Sequence, residues 1–286
     1  MKPYSNSIKI NGVSFRINWV LQKQLDIMKK VIRQDIDAIF IVDGEIEGTG
    51  KSVLAQQCAL YCDPSFSIDR IVFSPWEFKR AVLDADKYQC VIWDEAYEGT
   101  SKFQIFSVVN QMIRSLLRQI RQKNLMIFIV IPSFTDLDHD IGVRRSWGLL
   151  RAKLDIDFEN QSLLRGNFEF YSRKQKAWLY YIESNRMQYK KGLTCNSSFV
   201  GKFENVYGVN KQAYLEKKSN IKINSFIDDR TFIEECILRK MPWGLPIQLK
   251  NYANMSEQHY YRLKRGLVVQ LETEDEEKEA LMSNTN

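Results

Sequence analysis

The chain has 286 residues, of which 44% are hydrophobic and 27% are charged, a composition typical of folded globular proteins. Its longest apolar run, residues 125–132, is far shorter than the roughly 20 residues that cross a bilayer, so no membrane span is predicted. The N-terminus lacks the apolar segment of a secretion signal, and five irregularly spaced cysteines match no disulfide or zinc framework. We therefore expect free thiols in a reducing, cytoplasmic compartment.

The net charge of +6 is unevenly distributed along the chain. Residues 272–279 contain six acidic residues and one lysine and contribute −5, so residues 1–271 carry +11. A basic body with an acidic tail favours a polyanionic partner such as DNA, although a generally soluble surface would show the same excess. The tail itself is typical of a solvated, disordered chain end.

Hydrophobic periodicity predicts a series of strands and helices. Residues 1–18 alternate and predict a hairpin that turns at Asn11-Gly12, and residues 19–34 have helical spacing. Strands that alternate with helices and are almost continuously apolar indicate an α/β fold, with a mostly parallel sheet covered by helices on both faces. The further predicted elements are strand 38–43, helix 51–62, strand 68–74, helix 75–85, strand 88–93, helix 103–123, strand 125–131, helix 141–151 and the extended segment 152–158.

The pattern changes after residue 160. Alternation over residues 168–183 predicts a β-hairpin insertion with a basic tip at residues 172–176. Residues 186–225 show few signals, and residues 231–265 return to a helical pattern, which predicts a small helical C-terminal domain. The predicted segments are an N-terminal hairpin and helix (1–35), a core (36–160), a hairpin and irregular extension (161–225), a helical region (226–271) and the acidic tail (272–286).

The segment 45–52 follows the strand 38–43 and ends in Gly50-Lys51-Ser52. A strand, a glycine-rich turn with Gly-Lys-Ser and then a helix is the form of a phosphate-binding P-loop, in which backbone amides and the helix N-terminus hold an anion. Lys51 would reach the β- and γ-phosphates, and the Ser52 hydroxyl would ligate Mg²⁺. The alternative is a simple glycine turn with an exposed Lys51. The residues assigned to nucleotide binding are Gly48, Thr49, Gly50, Lys51, Ser52 and Val53.

One position departs from the P-loop pattern. The pattern expects glycine where Glu45 stands, and Gly44 lies one residue too early. Either Gly44 begins a loop that is one residue longer, or Glu45 adopts a backbone conformation that glycine usually takes.

An apolar strand that ends in Asp94-Glu95 has the form of a Walker B segment. Asp94 would hold Mg²⁺, directly or through water, and Glu95 would polarise the water that attacks the γ-phosphate of ATP. The alternative is an acidic surface turn. The position one strand-helix-strand unit after Gly-Lys-Ser favours the catalytic interpretation.

The strand 125–131 is followed by Pro132-Ser133. This pattern resembles P-loop ATPases with a catalytic glutamate, in which a strand inserted between the other two presents a small polar residue toward the γ-phosphate. The resemblance implies that role for Ser133, with Thr135 as the next candidate. A turn or helix-capping role for Ser133 is the alternative.

Two groups of arginines are candidates for contacts with phosphates. Arg114, Arg118 and Arg121 recur along the predicted helix 103–123, where a solvated face is the alternative. Arg144 and Arg145 follow the strand 125–131 and are candidates for an arginine finger that acts in trans.

The segment 249–265 predicts a short helix, a turn and a basic aromatic helix, which resembles a helix-turn-helix. A helical hairpin that packs on the core is the alternative. Together with the basic hairpin tip, this segment supplies the candidate DNA contacts, which are Arg173, Lys174, Lys176, Arg262 and Lys264.

The P-loop, the Asp94-Glu95 strand and the strand before Ser133 resemble the P-loop ATPases that carry an additional strand and a catalytic glutamate. Within that class the chain looks most like the FtsK–HerA group, which includes viral genome-packaging and Zot-like ATPases. The resemblance covers roughly residues 36–155 and implies a P-loop NTPase fold, ATP and Mg²⁺ as cofactors, ring-shaped homo-oligomers, trans arginine fingers and ATP-driven movement of DNA. Two positions depart from the group, since Glu45 replaces a glycine and Ser133 stands where glutamine is frequent.

The expected function is therefore that of a Mg²⁺-dependent ATPase that translocates or packages DNA. A second possibility is an AAA+-like DNA loader or transposition regulator. A third is a DNA-binding adaptor without enzymatic activity, in which Glu45 and Glu47 have weakened the nucleotide site.

Overall fold

The computed structural model describes residues 7–44, 46, 48–94, 116, 120–157, 160, 162–224 and 265. The chain divides into two compact units, residues 1–97 with 105–218, and residues 98–104 with 219–286. The second unit is described only at residues 219–224 and 265. The predicted helix-turn-helix, the acidic tail and most of the predicted helix 103–123 lie outside the described residues. The predicted division into five segments stays a prediction.

Nine strands and six α-helices can be followed in the described part of the chain. The strands are β1 (Ile8–Ile10), β2 (Val13–Phe15), β3 (Ala38–Asp43), β4 (Ile71–Val72), β5 (Cys90–Trp93), β6 (Met126–Val130), β7 (Ser146–Asp157), β8 (Ser162–Ser172) and β9 (Phe199–Lys202). The helices are α1 (Trp19–Val31), α2 (Lys51–Cys62), α3 (Pro75–Asp84), α4 (Arg173–Ser184), α5 (Met187–Lys191) and α6 (Lys211–Asn224). Within the described ranges, no helix is long and apolar enough to span a membrane.

The central sheet has the strand order β4-β5-β6-β3-β7-β8-β9. The five strands from β4 to β7 are mutually parallel, and β8 and β9 add an antiparallel edge. The predicted α/β class with a mostly parallel sheet is thus confirmed. The expected position of the strand before Ser133 is also confirmed, because β6 pairs with both β3 and β5.

Both faces of the sheet are covered, which explains why its inner strands are almost purely apolar. On one face, Ile39 and Ile41 join a core cluster with side chains of α3 and α4. On the other face, Phe40 stacks on Phe128 with 5.5 Å between ring centroids. The helix α2 contacts β3, β5 and β6, and α1 packs against α2.

The predicted N-terminal hairpin and several predicted helices are confirmed. β1 and β2 pair in antiparallel fashion around Asn11 and Gly12, whose φ angles of 50° and 81° suit a type I′ turn. α1 begins after Asn18, whose side chain accepts hydrogen bonds from two backbone amides. α3 begins at Pro75 with a capping box between Ser74 and Glu77.

The predicted helix over residues 141–151 is wrong. A π-helical turn spans Asp140–Arg145, and β7 begins at Ser146. β7 lies between β3 and β8, and its residues Leu149 and Leu150 are both fully buried. A strand that is buried on both faces has no alternation, so its apolar run cannot be distinguished from that of a buried helix.

The predicted β-hairpin over residues 168–183 is also wrong. The strand ends at Ser172, and the supposed basic tip is the first turn of α4. Ser172 and Gln175 form a capping box, and the buried residues that follow are spaced by three rather than two: Lys176, Leu179 and Ile182. An antiparallel pair does exist, but it is formed by β7 and β8. The region 186–225 contains β9, α5 and α6, which the sequence pattern did not reveal.

A buried ion network joins β3, β7 and α4. Arg151 donates to both carboxylate oxygens of Asp43, at 3.0 Å from Nε and 2.6 Å from Nη2, and to Glu183 at 2.5 Å. Arg151 is 5% exposed and Asp43 is 1% exposed. Burial by itself lowers the pKa of Arg151, but the Asp43 and Glu183 carboxylates outweigh this effect and raise it, so the guanidinium stays charged.

We expect Arg151→Met to destabilise the fold by about 3–5 kcal/mol, because Asp43 would remain buried without its counter-ion. The matched control is Lys153→Met on the same strand, which removes a partly exposed pair with Glu169 and is expected to cost less than about 1 kcal/mol. Urea unfolding of both variants measures the two costs. Equal losses in the free energy of unfolding would contradict the conclusion that the Arg151–Asp43 pair stabilises the fold more than an exposed pair does.

Candidate functional site

The loop between β3 and α2 depends on three glycines for two different reasons. Gly48 and Gly50 have φ angles of 77° and 92°, which side chains with a Cβ rarely adopt. Gly44 lies where a Cβ would come within 2.8 Å of the Ala152 carbonyl oxygen and of Thr49 Oγ1. Close packing therefore explains Gly44, which follows the last residue of β3. Glu45 and Glu47 lie outside the described residues.

The side chain of Lys51 folds back over this loop. Its Nζ donates to the carbonyl oxygens of Gly44, at 3.4 Å, and Ile46, at 3.2 Å. Lys51 is also the first residue of α2, so the ammonium group and the positive end of the helix lie at the same place. Thr49 is 1% exposed, and its hydroxyl has no hydrogen-bond partner among the described residues. Val53 is buried one turn into α2.

Ser52 and Asp94 are brought together from separate elements. The Ser52 hydroxyl donates to Asp94 Oδ1 at 3.0 Å, and Asp94 directly follows β5. Asp94 is fully buried, and its other oxygen, Oδ2, accepts from the Tyr214 hydroxyl at 2.7 Å. A hydroxyl and a carboxylate are the oxygen ligands that Mg²⁺ accepts while it keeps several waters, so this pair fits a Mg²⁺ ion. Glu95 lies outside the described residues.

Ser133 lies at the same edge of the sheet, just after β6. Its hydroxyl is 3.0 Å from that of Thr135, and the next amide, of Phe134, donates to Asp43 at 3.1 Å. The end of β6 is thus tied to the end of β3, next to the loop. Ser133, Lys51 and Asp94 follow the adjacent strands β6, β3 and β5 in turn, so the structure brings them to one edge of the sheet.

Arg144 and Arg145 lie at the opposite edge of the sheet. They precede Ser146, which pairs with Ile39 near the start of β3. Arg145 pairs with Asp37 at 3.5 Å, and Arg144 is within 4.0 Å of Asp140. Neither arginine reaches the loop of its own chain, so an arginine-finger role for them would have to act in trans, and it stays a prediction.

The prediction that Lys176 contacts DNA is wrong, because its side chain is buried. Its ammonium group is fully buried and donates to the carbonyl oxygens of Gly142 and Ser146 and to the Ser146 hydroxyl. Burial, with Arg173 nearby, lowers the pKa of Lys176 to about 7. Arg173 and Lys174 are exposed at the start of α4. Arg262 and Lys264 lie outside the described residues, as do Arg114 and Arg118.

Three residues at the site were missed by the sequence analysis. Tyr214 comes from α6, and the ring of Phe203 lies 3.0 Å from where a Cβ of Gly50 would be. Arg165 on β8 lies beside Gly48, with Nη2 3.8 Å from the corresponding Cβ position. All three are more than 100 residues from the loop in sequence, and no motif spacing connects them to it.

The four cysteines in the part of the chain that the structure describes take no part in this arrangement. Cys58 and Cys90 are buried free thiols, and burial raises the pKa of both well above the ordinary value, so they stay protonated and unreactive. Cys62 and Cys195 are partly buried and also free. In the described part of the chain, no group of three or more His, Cys, Asp or Glu side chains lies close enough together to hold a metal ion by itself.

Comparisons with known proteins add no family assignment. No protein-family model matches the chain, and no curated protein matches it. The functional interpretation therefore depends on the residues and geometry described above.

We expect Tyr214→Phe to lower the free energy of unfolding by about 1–3 kcal/mol, because the buried Asp94 oxygen loses a donor. Tyr189→Phe, at an 84% exposed position, should have no effect. In an Asp94→Asn background the cost of Tyr214→Phe should shrink, which a double-mutant cycle by urea unfolding would detect. Equal costs in both backgrounds would contradict the assigned hydrogen bond.

Proposed function

We propose that this protein is a Mg²⁺-dependent ATPase of the P-loop class that has an additional strand and a catalytic glutamate. The observation that carries the proposal is the hydrogen bond between Ser52 and Asp94. This bond joins the hydroxyl of Ser52, which follows Gly50-Lys51, to the carboxylate of Asp94, which follows the parallel strand β5. Both groups lie at the edge of the sheet that carries the glycine loop. This arrangement suits a phosphate chain with its metal ion.

The strand order supports a P-loop ATPase over a dinucleotide-binding fold. In the dinucleotide-binding order, the strand that follows the glycine loop lies beside the strand that precedes it. Here the following strand, β4, is separated from β3 by β5 and β6. The inserted β6 is the feature that the resemblance to additional-strand ATPases implies.

In the proposed mechanism each residue has one task. Lys51 and the amides of the loop and of the first turn of α2 bind the phosphates, and Ser52 and Asp94 hold Mg²⁺. Bound Mg²⁺ neutralises charge that builds up on the phosphates during transfer. Glu95 accepts a proton from the attacking water, and Ser133 donates a hydrogen bond to the γ-phosphate.

We expect Lys51→Ala to abolish ATP binding or hydrolysis, since it removes the cation of the loop. Glu95→Gln should bind ATP like the wild type but hydrolyse it at least about a hundredfold more slowly, because the general base is lost. Calorimetric titration with ATP and Mg²⁺, together with phosphate release, measures both. Unchanged turnover in both variants would refute the catalytic roles of Lys51 and Glu95, and absence of binding by the wild type would favour an adaptor.

We further propose that the ATPase acts on DNA, by translocation or packaging, as a homo-oligomeric ring. The support is the charge of +11 on residues 1–271 and a group of exposed cations at the edge of the sheet opposite the loop. Arg173 donates to the backbone carbonyl of Arg144, which places Arg144, Arg173 and Lys174 close together. We name these three residues the basic edge.

We expect the triple variant Arg144→Ala, Arg173→Ala, Lys174→Ala to bind DNA more weakly and to lower the salt slope of log K by about 2–3. The matched control is Lys79→Ala with Arg80→Ala, two exposed cations on α3. ATP hydrolysis with and without double- and single-stranded DNA across salt concentrations gives the functional readout. An unchanged slope in the triple variant would exclude the basic edge as the DNA contact.

A further inference from the structure

Arg165 lies at an irregularity in β8. Lys153 on β7 pairs with Asn167, and Asp155 pairs with Leu164, so two residues of β8 oppose one residue of β7. This is a β-bulge, a feature that bends a strand and redirects a side chain. The second bulge residue, Gly166, has a φ of 94°.

The bulge is held in place by the segment that follows β9. The Phe203 amide donates to the Gly166 carbonyl oxygen at 2.6 Å, and a Cβ on Gly166 would collide with the Phe203 carbonyl. Phe203 in turn packs its ring against Gly50. One residue therefore contacts both the bulge and the glycine loop, and it keeps Arg165 beside Gly48.

The net charge of the glycine loop suggests that a polyphosphate bound there would need a second cation. Residues 44–52 contain two glutamates and one lysine, so the loop that is proposed to hold a polyphosphate has a formal charge of −1. Arg165 is exposed and makes no hydrogen bond or ion pair with the described part of the chain. A guanidinium offers several donors in a plane that matches phosphate oxygens.

We propose that Arg165 binds the phosphate chain of the nucleotide in the same subunit, as a second cation beside Lys51. This rests on the proposed nucleotide site and adds to it a residue from the antiparallel edge of the sheet. The ligand class is a nucleoside polyphosphate, and inorganic pyrophosphate shares the recognised group. Arg165 differs from Arg144 and Arg145, which lie at the opposite edge of the sheet and pair with Asp140 and Asp37.

The test is the affinity of Arg165→Ala and Arg165→Lys for ATP, ADP and inorganic pyrophosphate, measured by calorimetry with Mg²⁺. The control is Arg80→Ala, an exposed arginine on α3. Arg165→Ala should weaken binding of all three ligands roughly tenfold to a hundredfold, the range for a charge-assisted hydrogen bond to phosphate. Arg165→Lys should recover part of this loss, because the charge remains but the fork of donors is gone. Unchanged thermal unfolding of the variants checks that the fold is intact.

The same titrations separate failure of this inference from failure of the proposed function. Wild-type affinity in Arg165→Ala, with binding lost in Lys51→Ala, would overturn the role of Arg165 and leave the nucleotide site in place. A loss for ATP without a loss for pyrophosphate would overturn the phosphate contact. No nucleotide binding by the wild type would overturn both.

Discussion

The buried ion network of Asp43, Arg151 and Glu183 is the constraint on which the rest of the site depends. A carboxylate this deeply buried is tolerable only with a partner of opposite charge and good geometry, and Arg151 provides both. Asp43 also accepts from the Phe134 amide, so the ends of β3 and β6, the middle of β7 and the helix α4 meet at one group of charges. Because the glycine loop begins directly after Asp43, the position of the loop follows from this network.

The residues around the glycine loop come both from the parallel strands and from the part of the chain that follows them. The core supplies the loop, Ser52, Asp94 and Ser133 at the carboxyl edge of parallel strands, where α/β proteins generally place their ligands. The later segment covers this edge with Arg165 beside Gly48, Phe203 against Gly50 and Tyr214 on Asp94. The residues proposed for catalysis and the arginine proposed for anion binding are thus far apart in sequence. The bulge in β8 and the helix α6 bring the later residues to the loop.

The success and failure of the predictions have physical causes. Gly-Lys-Ser after a strand and Asp94 after another are local patterns, and α2 spans Lys51–Cys62 as expected because its first turn begins where the glycines end. The helix predicted over 141–151 failed because β7 is buried on both faces. The hairpin predicted over 168–183 failed because Ser172 and Gln175 form a helix cap and Lys176 is buried, which no polarity pattern suggests for a lysine.

The sequence by itself determined the α/β class, the loop, and the residues Lys51, Ser52, Asp94 and Ser133 as a set, since each depends on a local run of residues and its neighbours. Only the tertiary structure decided that Arg151 neutralises Asp43, that Arg165 lies beside Gly48 and that Tyr214 bonds to Asp94. It also decided that Lys176 is buried and that Arg145 pairs with Asp37 away from the loop. These are contacts between strands and helices distant in sequence. They depend on sheet order, register and burial, which arise when the whole chain packs and which no single segment encodes.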